Sequence, residues 1–218
     1  MKIQACIFDL DGVLVDTARY HFLAWKRLAD TLGIDFSHSD NERLKGVSRM
    51  ASLDIILGLG RRELPAEEKE ALAELKNGWY REYLADLDEG ALLPGVRDFL
   101  EGCRERGLPI AVGSASKSAR EVLASTGIIG LFDAVVDGNS PLPPKPAPEL
   151  FLLAARELGP RPEATVVFED AAAGIEAALA AGMMAVGIGE AASLGRARIV
   201  IAGFQGLRAG ELLGRLES

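Results

Sequence analysis

Residues 7–17 read "IFDLDGVLVDT". The stretch starts inside an apolar run, "IQACIF" (3–8), and then sets Asp9, Asp11 and Asp16 within eight positions. Acidic side chains at the end of a buried strand are costly unless something cationic meets them. On an extended chain Asp9 and Asp11 would point to opposite faces. Gly12 begins a turn, however, and lets Asp11 swing toward the end of the strand that Asp9 occupies.

Further short apolar runs follow the same pattern: "PIAVGS" (109–114), "AVV" (134–136), "ATVVFE" (164–169), "MMAVGIG" (183–189) and a weaker "RIVIA" (198–202). Segments of helical length lie between the later ones. In 95–106, Val96, Phe99, Leu100 and Cys103 share one face, and 117–126 and 147–158 are similar in size. Strand and helix in alternation predict an α/β fold, a Rossmann-like parallel sheet with helices on both faces. Ligands collect at the carboxyl ends of the strands in such sheets. That edge receives Asp9 after the first strand, Ser114 after the second, Lys145 from the loop after the third, and Glu169–Asp170 at the fourth. The proline-rich "SPLPPKPAP" (140–148), which carries Lys145, reads as a stiff loop.

The first interval departs from this rhythm. Between Thr17 and Asp88 the sequence offers three helical patterns and no convincing strand. Tyr20, Ala24, Trp25, Leu28, Ala29 and Leu32 form one stripe, ended by Gly33. Met50, Leu53, Ile56 and Leu57 form a short second, and Leu72, Leu75, Trp79, Tyr83 and Leu87 a longer third. Residues 17–88 are therefore expected to be a helical-bundle cap inserted after the first strand of a core made from 1–16 and 89–218.

Composition narrows the functions. Hydrophobic residues are 49% of the 218 and charged ones 26%, enough for a sizeable core. Acidic side chains outnumber basic ones 32 to 24, a formal charge of −8, which argues against non-specific binding to nucleic acid or anionic membrane. A local cluster of Lys and Arg can still hold a small anion. Cys6 and Cys103 both sit in apolar patterns and read as buried, inert thiols. With no secretory leader pattern and no apolar run of membrane length, the expected location is cytoplasmic. "GIGEAA" (187–192) matches a loose dinucleotide pattern, but too little chain follows it to complete a nucleotide-binding unit.

Carboxylates, a hydroxyl and an ammonium delivered to one sheet edge suit phosphoryl transfer. Hard carboxylate oxygens are Mg²⁺ ligands. A lysine and a hydroxyl can stabilise the transferring group's oxygens. A carboxylate such as Asp9 can act as nucleophile by forming an acyl phosphate, and Asp11 can serve as general acid and base. Taken alone, Asp-x-Asp reads as a solvated turn, Ser114 as a turn hydroxyl and Lys145 as a surface amine. Their placement after successive strands is what lifts them.

The segments "DLDGVLVDT", "GSAS", "KPAP" and "FEDAAAGIEAA", in that order, resemble the four signature segments of the haloacid dehalogenase superfamily of phosphotransferases. "DTARYHFLAWKRLA" together with "LKGVSRMASL" is similar to its β-phosphoglucomutase branch, a likeness that extends through the helical insert. The resemblance implies Asp9 as phosphoryl-carrying nucleophile and Asp11 as acid/base. It also implies Mg²⁺ held by Asp9, the Asp11 main-chain carbonyl and Asp170, with Glu169 beside it. Ser114 and Lys145 would bind the transferring phosphoryl. The stretch Ser114, Ala115, Ser116, Lys117, Ser118 would contribute to phosphate binding, with Arg49, Ser116 and Lys117 gripping the substrate's other phosphate. His21, Trp25, Gly46, Val47, Ser48, Ser52 and Lys76 would line the sugar side, Lys45 would lie nearby, and Thr17 would stand at the hinge. Ser118 stands where the family often has Asn, Pro144 where a small residue is usual before the lysine, and a cis Lys145–Pro146 bond is implied. The activity implied is interconversion of β-glucose 1-phosphate and glucose 6-phosphate through glucose 1,6-bisphosphate, by a monomer. A phosphatase of the same superfamily acting on small sugar phosphates is the alternative enzyme, and a non-catalytic phosphate-binding module the alternative from another class.

Overall fold

The computed structural model describes residues 2–44, 47–85 and 87–217. Six strands form one sheet: β1 (Ala5–Phe8), β2 (Ile110–Gly113), β3 (Ala134–Val136), β4 (Thr165–Glu169), β5 (Met184–Ile188) and β6 (Ile199–Ile201). Their order is β3-β2-β1-β4-β5-β6, with every neighbouring pair parallel. The expected α/β architecture is thus the one observed. β1 lies at the centre, where the winding reverses direction, and a crevice opens there beyond the strand ends. Phe8 is in register with Val112 on one side and Phe168 on the other, so Asp9, Ser114 and Asp170 all emerge at one edge.

Strand alternation builds two cores. Cys6, Phe8, Ile110, Val112, Val166 and Phe168 face the side covered by α5 (Val96–Glu105), α6 (Ala119–Ser125) and α10 (Ala209–Glu217). Ile7, Ala111, Val167 and Ala185 face α7 (Glu149–Leu158) and α8 (Ala172–Ala180) on the other side. A short α9 (Ala191–Leu194) follows β5. Both thiols are buried and free. On the first side Phe8 stacks on Phe168 with centroids 4.6 Å apart, and Phe99 and Phe204 complete an aromatic cluster. This cluster lies directly beneath the strand ends that carry Asp9 and Glu169, and gives them a stiff base.

Between β1 and β2 come α1 (Ala18–Thr31), α2 (His38–Glu42), α3 (Arg49–Leu59) and α4 (Ala66–Leu84). The sequence reading expected three helices here, and α2 is the addition. Its five residues carry no apolar stripe, yet Ser37 and Asp40 form a reciprocal capping box that starts it. A second correction concerns α4. The expected stripe ran Leu72, Leu75, Trp79, Tyr83, Leu87, but the buried face is Ala73, Lys76, Tyr80 and Leu84, one residue round the helix. Leu75 is 47% exposed, and the helix ends before Leu87. Small Ala73 sits in the insert's own core with Trp25, Leu28, Leu53 and Ile56, and Tyr80 and Leu84 join the sheet-side core.

The two strands of chain that join the helices to the sheet domain are themselves tied together. Asp16 N–H donates to Ala91 O at 3.0 Å and Leu93 N–H to Leu14 O at 3.0 Å. No described helix is long and apolar enough to cross a membrane.

Phe204 tests the aromatic base. Phe204→Ala is expected to cost about 3–5 kcal/mol, the usual penalty for emptying a buried aromatic site. Urea unfolding of the two proteins checks this, and a loss under about 1 kcal/mol would mean that the cluster collapses around the gap.

Candidate active site

Asp9 follows β1 and is held by its own amide, which donates to Phe168 O at 2.9 Å. Its carboxylate meets Lys145, whose Nζ donates to Asp9 Oδ1 at 2.6 Å and to Glu169 Oε2 at 2.8 Å. A third, longer contact runs from Nζ to the Gly113 carbonyl at 3.4 Å, and the Phe151 ring lies 4.8 Å from the ammonium. The lysine side chain is 1% exposed, so three strand ends and one loop converge on a buried ion cluster. Lys145 comes from the proline-flanked loop, with a cis bond to Pro146.

The charges do not balance. Burial, then repulsion from Asp9, pushes Glu169 up to about 8. Burial and neighbouring Asp11 also raise Asp9, against the pull of Lys145. Burial opposes the charge on Lys145 as well, yet Asp9 and Glu169 together hold it above the ordinary lysine range. Asp9, Glu169 and Asp170 place carboxylate oxygens within 4.8 Å of one another. Three clustered carboxylates, two of them sharing one ammonium, present hard oxygens, the donors Mg²⁺ selects. The backbone makes room for this. Gly12 has φ +80°, and a Cβ there would stand 2.4 Å from Asp170 Oδ2, so the turn after Asp11 must be glycine for Asp170 to reach the cluster. The donor set and this cradle fit a divalent cation.

Asp11 belongs to the other half of the site. Its carboxylate accepts a short hydrogen bond from the Thr17 hydroxyl and faces His21 Nε2 at 3.6 Å. Burial works against its charge, but His21 and Thr17 outweigh that and hold the carboxyl below its usual range. His21 Nδ1 lies 3.0 Å from Lys76 Nζ, and burial followed by repulsion from Lys76 lowers the imidazole's pKa. Lys76 is 2% exposed, its ammonium 4.6 Å from the Trp25 ring and 4.8 Å from that of Tyr80. Burial, then Arg49, lowers it to about 7, with Asp11 pulling the other way. A lysine read from sequence as sugar-side by resemblance is therefore a buried amine in an aromatic enclosure.

Arg49 opens α3 behind Ser48, whose hydroxyl caps the helix by accepting from Ala51 N–H at 3.3 Å. The guanidinium donates to Asn77 Oδ1 at 2.8 Å and Glu74 Oε2 at 3.1 Å. Across from it, Ser116 N–H donates to Ser114 Oγ at 3.1 Å and Ser118 N–H to Ser116 Oγ at 3.3 Å, which shapes the loop after β2. Gly138 lets that loop pass closely, since a Cβ there would lie 2.2 Å from Ala115 O.

One cavity of about 510 Å³ unites these groups. It is lined by Asp9, Asp11, His21, Trp25, Val47, Ser48, Arg49, Ser52, Lys76, Ala115, Ser116, Lys117 and Asp170. Thr17, Ser114, Ser118, Lys145 and Glu169 stand behind that lining, buried. Lys45 and Gly46 lie outside the described residues. The sequence reading missed Asn41, Glu74, Asn77 and Tyr80, which also line the cavity. Of these, Tyr80 was recoverable from Lys76, because it stands four residues further on the same face of α4.

The family model for haloacid dehalogenase-like hydrolases matches residues 3–182. The chain is 41% identical to β-phosphoglucomutase of Bacillus subtilis (strain 168) over 201 residues, 91% of this chain and 89% of that protein. It is 38% identical to fructose-1-phosphate phosphatase of Escherichia coli (strain K12) over 189 residues, 86% of this chain and 97% of that one. The crystal structure of a β-phosphoglucomutase from Clostridium difficile superposes with a TM-score of 0.94 at 39% identity, covering 99% of this chain and 97% of that chain.

The depressed pKa of Lys76 has a measurable sign. A lysine that ionises near 7 when folded and near 10.4 when unfolded gives stability present above the upper value and lost as pH falls through the lower. Lys76→Met lacks this dependence. Relative to the parent, the variant should therefore gain stability between about pH 9.5 and pH 6. Glu169 titrates in the same window but equally in both proteins, so it cancels in the difference; His21, which Lys76 holds low, moves up in the variant and adds a gain of the same sign at the acid end. Paired thermal melts at the two pH values check this, and a pH-independent difference would show that the amine titrates normally.

Proposed function

Because the chain belongs to the haloacid dehalogenase-like hydrolase family, we propose that it acts as a β-phosphoglucomutase, interconverting β-D-glucose 1-phosphate and glucose 6-phosphate through phosphorylated Asp9 and bound glucose 1,6-bisphosphate. The observation that carries this reading is the cavity's two-sided build. An acidic, lysine-braced end holds Asp9, and a cationic wall from the helical insert holds Arg49 and Lys76. A single-phosphate hydrolase needs only the first end, whereas a bisphosphate needs both.

In the forward direction Asp9 carries the phosphoryl group. Asp11, held as the anion, accepts the proton of the sugar hydroxyl that attacks phosphorus, while the Asp9–phosphorus bond breaks. The bisphosphate then turns end for end. Its other phosphoryl passes to Asp9, and Asp11 returns its proton to the departing sugar oxygen. A phosphoryl dianion close by raises the pKa of Asp11 and so makes that return possible. Mg²⁺, held by Asp9, Asp170 and the Asp11 carbonyl with Glu169 adjacent, would offset charge on the transferring oxygens. Lys145 and Ser114 steady Asp9's end, and Arg49 with Ser116 and Lys117 holds the distal phosphate. Residues 17–88 act as the cap and 1–16 with 89–218 as the core, so that closure excludes water from the acyl phosphate. Held in place, the sugar hydroxyl can reach an effective molarity of about 10⁵ M or more, well above that of liquid water. We assign the enzyme to the cytoplasm as a monomer.

Hydrolysis of small sugar phosphates is the second reading, favoured by the similarity to fructose-1-phosphate phosphatase. The two are separated by supplying β-glucose 1-phosphate, Mg²⁺ and a trace of glucose 1,6-bisphosphate, then measuring glucose 6-phosphate against free phosphate. Glucose 6-phosphate is expected to dominate, and dominant phosphate release would overturn the mutase assignment. Asp9→Asn should abolish both products with an unchanged circular dichroism spectrum; retained turnover would remove Asp9 as the nucleophile. Arg49→Ala should lower mutase flux at least about tenfold more than hydrolysis of a small generic phosphate ester, the usual loss for a charge-assisted contact. Equal losses in the two assays would mean that Arg49 holds no distal phosphate.

A further inference from the structure

Tyr80 is a buried polar group in the cavity to which the reaction above gives no task. It lies on the inner face of α4, 1% exposed, with its ring stacked on His21 at a centroid separation of 4.1 Å and Lys76 Nζ beside its face at 4.8 Å. Ring contacts therefore fix the side chain without help from its hydroxyl. That hydroxyl is fully buried and has no hydrogen-bond partner among the described residues. The hydroxyls of Thr17 and Ser116 lie close enough to favour its ionised form, yet neither meets it in hydrogen-bond geometry.

A buried hydroxyl without a partner is unfavourable, and phenylalanine would keep the ring contacts without that cost. The oxygen is thus poorly explained by the packing of the free protein and well explained by a ligand. Tyr80 is one helical turn from Asn77, which bonds Arg49, and shares the cavity wall with Ser116 and Lys117. It therefore stands where the insert's phosphate-binding side meets the sheet domain's. Burial, then the nearby Asp11 charge, raises its pKa well above the usual tyrosine value, so the group keeps its proton and can donate.

We propose that the Tyr80 hydroxyl is a substrate-binding donor, giving its hydrogen bond to a phosphoryl oxygen of the sugar phosphate held between Arg49 and the Ser116–Lys117 loop. The assignment rests on the sugar-phosphate reading above and adds a donor that bridges the two walls of the cavity. It is a binding contact, made alike before and during phosphoryl transfer, so its loss acts on KM more than on kcat.

Tyr80→Phe tests it in the full-length protein with Mg²⁺ present. The KM for β-glucose 1-phosphate should rise about tenfold with kcat within about twofold, the effect of losing one hydrogen bond to an anion. The ligand-free variant should melt no lower than the parent, since no protein partner is lost. The upward melting shift produced by saturating glucose 6-phosphate in the parent should shrink. An unchanged KM would overturn the proposal, and so would a lower ligand-free melting temperature with an unchanged glucose 6-phosphate shift, because the hydroxyl would then be structural. If the parent releases phosphate instead of isomerising its substrate, the mutase reading falls by itself. The KM comparison on that hydrolysis then decides the role of Tyr80.

Discussion

The site depends on one buried contact, the ammonium of Lys145 shared between Asp9 and Glu169. Each partner comes from a different element, so the contact joins the end of β1, the end of β4 and the loop after β3 at the centre of the sheet. None of the three charges is tolerable alone at this depth: without the ammonium two buried carboxylates would face each other, whereas loss of either carboxylate leaves the lysine paired with the other. In the proposed reaction the lysine also positions Asp9. With one carboxylate oxygen of Asp9 fixed on the ammonium, the carboxylate cannot rotate freely, and its approach to phosphorus is set before substrate arrives. The aromatic cluster of Phe8, Phe99, Phe168 and Phe204 makes that placement rigid from below.

The helical insert solves a different electrostatic problem with different means. Lys76 is buried, but its neighbours are aromatic rings and an imidazole rather than carboxylates, and its charge is correspondingly weak. An anion entering the cavity would strengthen that charge, so ligand binding and protonation of Lys76 favour each other. Lys145, by contrast, is fully paired whether or not an anion enters. One cation is held charged by the protein's own carboxylates, and the other becomes more fully charged when an anion binds.

Much of this was legible in the sequence because it follows from simple periodicities. Six apolar runs dictate the parallel sheet, and the ends of the runs with the loop after the third put Asp9, Ser114, Lys145 and Glu169 at one edge. What was illegible arose where polar function overrides apolar pattern. The stripe of Leu72, Leu75 and Trp79 looks like the buried side of α4, yet the helix turns Ala73, Lys76 and Tyr80 inward, which brings an amine and a phenol ring to the cavity wall. Leu72 and Trp79 stay half-buried against the cores, with Arg27 4.2 Å from the Trp79 ring, and Leu75 is left exposed. The short α2 escaped for a related reason: a capping box, and not a hydrophobic face, specifies it. That Lys76 mattered at all came from resemblance to a family; its burial and its aromatic neighbours needed coordinates.

The state of Arg49 bears on how a site can hold one substrate in two orientations. A mutase must grip whichever phosphate is not reacting, so the grip has to be strong for a dianion and indifferent to the sugar behind it. A planar guanidinium meets that need, because it recognises oxygens in a fork and not the rest of the molecule. Its partners here, Glu74 and Asn77, satisfy it while Glu74 itself remains 72% exposed. Exchanging a largely hydrated carboxylate for a phosphoryl dianion gives up little, since exposed pairs contribute on the order of 1 kcal/mol or less. The cation is thereby kept paired and oriented, yet available to a ligand that carries more charge than the residue it displaces.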